Sequence, residues 1–252
     1  MVMKTRRAVA ALSVGVAAVF ALPGAALAQH QGDGFLFRQP SGSFTLRMGF
    51  SRPNATGDPY TFFSDQLTLS RSSFDAVELA GDLAVRAGDR VDLVFSLGWD
   101  GSRAPSEMRR WLDPQNQPIR QTTTLQRVPL SVSVRYFLMS RGRSLGRFAW
   151  VPSGYAPYVG AGAGLMYYRL HQWGNFVDFA DSTIFSDDFS SSDWSGSAHV
   201  FTGVELPLGP RFLLKLEGRY TWAKSMLGSD FSGFDKIDLS GFAFTVGLGV
   251  RF

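Results

Sequence analysis

The closing stretch "TVGLGVRF" (Thr245–Phe252) decides the fold. Val246, Leu248, Val250 and Phe252 alternate with Thr245, Gly247, Gly249 and Arg251, and the chain stops on an aromatic residue. Chain ends are ordinarily frayed and polar. This one reads as a strand that must be finished, because an open last strand exposes a row of bare N–H and C=O groups. In hydrocarbon nothing else can pair with those groups, so the sheet has to close on itself.

The same period of two recurs upstream. Phe44, Leu46, Met48 and Phe50 form one face of a first strand. Val77, Leu79, Gly81, Leu83 and Val85 form a second, and Val91, Leu93, Phe95, Leu97 and Trp99 a third across the "AGDR" turn. A fourth strand carries Val128 to Leu138, and a fifth carries Val159, Ala161, Ala163, Leu165 and Tyr167 outward with Gly160, Gly162 and Gly164 inward. A sixth is expected over 198–206 with Glu205 inward, a seventh from Phe212 to Trp222, and an eighth from Gly241 to Phe252. The fold class expected is therefore all-β, a closed antiparallel transmembrane barrel of about eight strands. A water-soluble barrel would also alternate, with its apolar face inside. Strand length, aromatics at strand ends (Phe50, Trp99, Tyr136, Trp222, Phe252) and connections alternating long with short favour the inverted arrangement.

The first 28 residues read as a secretory signal, with Lys4, Arg6 and Arg7, an apolar stretch from Ala8 to Leu22, and cleavage between Ala28 and Gln29. That stretch is shorter than the ~20 residues of a spanning helix, and Pro23-Gly24 ends it. The segment holds 3 of the 25 basic residues and none of the 21 acidic ones, leaving 22 against 21 and a net charge of +1. Nothing in that balance calls for nucleic acid. The absence of cysteine excludes disulfides, cysteine metal sites and an acylated-cysteine anchor. The chain divides into signal 1–28, a periplasmic segment 29–41 and a barrel domain 42–252.

Thr245, Gly247, Val250 and Phe252 resemble the C-terminal signal read by the assembly machinery of Gram-negative outer-membrane barrels. With "PYVGAGAG" and "LKLEGRYTW", the chain resembles the small OmpA-, OmpX- and OmpW-type barrels. The resemblance implies termini in the periplasm, external loops near 52–74, 101–124, 172–197 and 223–237, and turns near 87–90, 139–154 and 209–211. It also implies outer-membrane lipid, lipopolysaccharide and the assembly machinery as partners. "TFFSDQLTLS" in the first loop would extend strands above the membrane or add a ninth and tenth. The family's members differ in role, so fold does not settle function.

Inward positions collect Arg47, Glu78, Asp82, Arg86, Asp92, Asp100, Arg127, Arg135, Glu205, Lys215, Glu217, Arg219 and Arg251. Seven bases against six acids in so narrow a lumen are expected to pair and plug it. The loop 172–197 holds Asp178, Asp181, Asp187, Asp188 and Asp193 with no base, plus six aromatics including Trp173 and Trp194. It is a candidate contact surface for an unknown external ligand. Its spacing matches no calcium loop, so no metal is assigned. Arg103, Arg109, Arg110 and Arg120 in the loop 101–124 would pair with the acidic loop across the mouth.

No catalytic residue and no cofactor is assigned. Of the three histidines, His171 and His199 flank one loop and could approach each other. "HVF" lacks the serine of a barrel deacylase, and Asp187-Asp188 point apart on a strand. "GAGAG" is no dinucleotide fingerprint, because no helix follows it. Three functions compete: a non-enzymatic surface barrel acting through its loops, passage of small molecules as in OmpW-type barrels, and lipid-modifying or proteolytic activity.

Overall fold

A computed structural model describes residues 34–252. The signal segment and its Ala28–Gln29 cleavage site lie outside the described residues. Eight long strands form the wall: β1 (Gly42–Pro53), β2 (Ala76–Arg86), β3 (Val91–Leu112), β4 (Pro118–Phe137), β5 (Ala156–Val177), β6 (Ile184–Pro207), β7 (Phe212–Ser225) and β8 (Gly241–Arg251). Each pairs antiparallel with its sequence neighbour, and β8 pairs with β1 from Gly241↔Pro53 to Arg251↔Ser43. The ring is closed. Phe252 completes it, its carbonyl accepting from the amides of Ser41 and Gly42 at 2.7 and 3.1 Å.

The pairings also fix the tilt. From Gly101 they pass through Val77, Phe50, Phe244, Gly218, Thr202, Val159 and Tyr136, and return to β3 at Val91. Gly101 and Val91 lie ten residues apart. A stagger of that size across eight strand spacings tilts the strands by about 40°. An outward run such as Phe212 to Trp222 then spans about 25 Å of height, the thickness of a bilayer's apolar core.

Through that height no outward side chain is charged. Leu46, Met48, Leu97, Val134 and Leu248 are 61, 60, 56, 54 and 62 % exposed. A continuous apolar belt of this kind has no stable place in water, and hydrocarbon is the solvent that removes its cost. Inside, the wall closes up on β5. A Cβ on Gly160 would lie 2.2 Å from the Phe201 ring, and one on Gly164 only 2.1 Å from the Leu130 carbonyl oxygen. The glycines leave room for β4 and for the side chains of β6.

The strands continue beyond the belt, which corrects the expected loops. Most of 101–124 and 172–197 is strand: β3 and β4 turn only at 113–117, and β5 and β6 only at 178–183. Above the belt the charges of the inner face give way to apolar and uncharged polar residues, with Ala104, Met108, Ile119, Leu125, Tyr168 and Leu170 buried beside Ser106, Gln121, Thr123 and Gln172. A search for apolar residues in one constant phase loses these segments. The first loop supplies no extra barrel strand. It folds into helix α1 (Asp58–Gln66), begun by Pro59, and a 3-10 turn (Arg71–Phe74). Tyr60, Phe63, Leu67 and Phe74 bury against the hairpins and, with Phe231, Ile237 and Leu239 of the last loop, form an apolar cap over the mouth.

The long turn 138–155 also acquires a purpose. Short strands Gly142–Leu145 and Ala149–Pro152 make a hairpin, and Leu36–Phe37 joins its edge through Leu36↔Trp150 and Phe37↔Ala149. A three-stranded sheet thus lies at the end of the barrel opposite the cap.

Candidate functional site

All eight strands contribute polar groups to the interior, because every second residue of a strand must face it. Their charges fall into three groups. The central group joins Arg47, Lys215 and Arg219 to Glu78, Asp82 and Glu217. Arg47 meets Glu78 at 2.9 Å and Asp82 at 3.2 Å. Lys215 bridges Asp82 at 2.7 Å and Glu217 at 2.8 Å, and Arg219 reaches Glu217 at 2.9 Å. Tyr158 donates its hydroxyl to Glu217 at 3.0 Å, and Ser96 donates to Asp82 at 2.7 Å. Three cations balance three anions.

Toward the cap, Arg127 holds Asp100 with two hydrogen bonds of 2.9 and 3.0 Å and donates to the Leu239 carbonyl at 2.8 Å. That last bond ties the lumen to the final loop. Toward the other end, Arg135 bridges Asp92 at 2.6 Å and Glu205 at 2.7 Å, while Arg251 lies 3.7 Å from Glu205. Arg141, from the turn after β4, adds a bond of 2.7 Å to Asp92. Guanidinium groups also lie over rings: Arg135 and Arg141 over Phe137, Arg219 over Phe201, Arg251 over Trp150.

Twelve of the thirteen inward charges are buried. Arg86 is the correction. It ends β2 at the rim, is half-buried, and pairs with Asp89 of the adjacent turn at 2.7 Å. Sequence reasoning missed Arg141, Tyr158 and Trp150, which enter from strand ends and a turn where no periodic signal exists. One cavity of about 30 Å³ lies among Arg47, Asp100, Arg127, His199 and Arg219, and another of about 20 Å³ among Arg141, Trp150, Glu205 and Arg251. Each has room for about one water molecule.

The acidic stretch is a hairpin, not a loose loop. Asp178 and Asp181 shape its tip, accepting from the amides of Ala180 and Thr183 at 2.8 and 3.0 Å. The hydroxyl and amide of Thr183 hold the Asp181 carboxyl below the usual carboxylate range. Asp187 and Asp188 occupy successive strand positions and so opposite faces; Asp188 pairs with His171. Asp193 caps the amide of Trp194 at 2.7 Å. Trp194 itself belongs to the outer girdle, exposed on the wall 5.4 Å from Tyr167, and not to a loop surface. Trp173 lies on the outer face above it, stacked on His171 at 4.6 Å.

The two histidines do not meet. His199 pairs in register with Gly162 on β5, nine residues along that strand from His171 and thus about 30 Å away. His199 lies inside the barrel, 2.8 Å from the Ser133 hydroxyl. Among the described residues no group of three His, Asp or Glu is placed to hold a metal ion. Among the described residues no arginine of 101–124 forms an ion pair with the acidic hairpin, although the Arg103 guanidinium lies 5.4 Å from the Trp173 ring. Arg120 pairs with Glu107 at 3.0 Å, and Arg109 donates to the carbonyls of Ser64 and Leu67 at 3.0 and 2.6 Å. Arg109 fastens the first loop because β3 runs on beside it. Within the cap, burial pushes the Tyr60 phenol up, so it stays neutral and donates to the Asp238 carbonyl at 3.1 Å.

No protein-family profile matches the chain, and no curated protein matches it. Solved structures do. Neisserial surface protein A is similar at 14 % identity and a TM-score of 0.46, over 85 % of this chain and 100 % of that one. The outer membrane protein OprG from Pseudomonas aeruginosa is similar at 14 % identity and 0.44, over 86 % and 99 %. Outer Membrane Protein W of E. coli is similar at 16 % identity and 0.39, over 85 % and 100 %.

Proposed function

We propose that the protein is an outer-membrane barrel whose lumen is plugged by its own ion pairs and which acts through its external hairpins and outer wall, in surface binding and envelope stability. On this reading both termini and the short turns lie in the periplasm, and the extended hairpins face outward. One observation carries it. The interior is crossed by ion pairs from β1 to β8, and two cavities among those charges measure about 30 and 20 Å³. Buried charges that are mutually satisfied have little tendency to separate, since breaking one pair strands its partner in a poor solvent. The apolar cap above and the small sheet below extend the seal.

Passage of small molecules, the competing reading, requires a continuous path past these ion pairs. Ser133 and His199, a hydroxyl and an imidazole in hydrogen-bond contact, are buried inside the barrel. The test is planar-bilayer conductance of the refolded protein. Silence at ordinary voltages is expected, and steady discrete openings overturn the plug. Fractionation of expressing cells checks the location, since recovery of a soluble monomer would remove the membrane reading altogether.

A further inference from the structure

The three charge groups inside the barrel are not alike. The central group sets Arg47, Lys215 and Arg219 against Glu78, Asp82 and Glu217, and toward the cap Arg127 answers Asp100. At the other end Arg135, Arg141 and Arg251 meet only Asp92 and Glu205. Among the described residues no third carboxylate lies within 4.0 Å of these guanidiniums, so the group keeps one positive charge in excess. Its guanidinium side chains are 2, 15 and 7 % exposed, and ions in bulk water screen that excess poorly. Burial holds the Arg141 guanidinium below its ordinary value even though Asp92 lies beside it.

The same end is short of hydrogen-bond acceptors. Six buried side-chain polar atoms among the described residues lack a partner, and the three nitrogens among them all fall here: Arg135 Nε, Trp150 Nε1 and Arg251 Nη1. Buried donors of this kind are rare, because each forfeits its bond to water. Arg251 and Trp150 line the cavity of about 20 Å³ together with Arg141 and Glu205. Trp150 comes from the small sheet and Arg251 from β8, with the guanidinium 5.8 Å from the indole.

We infer that this cavity is a binding site for one halide ion, chloride in ordinary surroundings. Excess positive charge, unanswered N–H donors and room for about one water molecule together call for a monatomic anion. Sulfate and phosphate are too large for that space. A water molecule accepts from both donors but leaves the charge unmatched; a halide meets both needs. Glu205 does not exclude it, because Arg135 already holds one of its carboxylate oxygens at 2.7 Å. The ion joins the small sheet to the barrel wall, with the Trp150 indole on one side and Arg251 on the other. The site rests on the plugged-lumen reading, which supplies the buried cations, and adds the anion that completes their balance.

The test compares urea unfolding of the refolded protein in phosphatidylcholine vesicles in sodium chloride, sodium bromide and sodium gluconate at equal ionic strength. Chloride and bromide should raise the midpoint saturably over gluconate. Arg251→Gln removes the excess charge and should give one midpoint in all three salts. Trp150→Phe keeps a ring in place without its N–H and should raise the chloride concentration for half the effect roughly tenfold. Arg143→Gln, which removes an exposed charge from the small sheet, should keep the wild-type dependence. Crystals soaked in bromide should give an anomalous peak between Arg251 and Trp150. Equal wild-type midpoints in chloride and gluconate, a halide effect that survives Arg251→Gln, or no bromide at that position overturns the site. Bilayer conductance decides the plug separately: a silent barrel without halide dependence loses the anion site and keeps the plug.

Discussion

Replacing Glu217 by Gln tests whether the central charges are a dry, mutually compensated group. Glu217 is fully buried and lies 2.8 Å from Lys215, 2.9 Å from Arg219 and 3.9 Å from Arg47. Its removal leaves three cations against Glu78 and Asp82. An uncompensated buried charge of this kind costs about 3–5 kcal/mol. Arg219→Met errs in the opposite direction, leaving an excess anion at a similar cost. The double variant restores neutrality: Lys215 keeps Asp82, and Arg47 keeps both Glu78 and Asp82. It should lie within about 1–2 kcal/mol of wild type, giving a coupling of at least ~3 kcal/mol, well above the additive expectation. Reversible urea unfolding in lipid vesicles, followed by tryptophan emission and by the gel shift of the folded barrel, supplies all four stabilities. If both single variants lose less than ~1 kcal/mol and the losses add, water reaches the group and the plug argument fails.

Three further outcomes follow from packing. Gly164→Ala puts a methyl 2.1 Å from a backbone oxygen and should cost about 1–3 kcal/mol, whereas Gly196→Ala, with nothing within 4 Å of the new atom, should be nearly neutral by the same unfolding assay. Trp150→Ala, in the sheet below the barrel, should cost about 3–5 kcal/mol, since that indole is 2 % exposed and backs Arg251; a loss under ~1 kcal/mol would mean that the small sheet is not packed on the lumen. Phe252→Asp should lower the yield of heat-shiftable protein in cells without reducing export, and normal yield would count against a terminal assembly signal.

The belt was legible because lipid enforces one rule along it. Phe44 to Phe50 or Phe242 to Val250 can alternate only one way when hydrocarbon lies outside, so their period of two survives in the sequence. Above the belt that rule reverses. On β5, Tyr167 is the girdle aromatic on the outer face, and Tyr168 and Leu170 are inward residues of the cap. The strand never breaks; only the solvent on its outer side changes. Helix α1 was missed for a related reason. Tyr60, Phe63 and Leu67 recur at helical spacing behind Pro59, a signal lost when a segment is read only for alternation. Arg141 and Trp150 had no periodic signal at all, because they come from a turn and a four-residue strand.

This reversal bears on how the molecule works. A barrel of one polarity would have a wet rim where its lumen meets water, and its charges would be screened there. Here Arg127 closes that rim by donating to Leu239, a residue of the apolar cap. The two cores are therefore joined end to end: ion pairs where the outside is apolar, hydrocarbon side chains where the outside is wet.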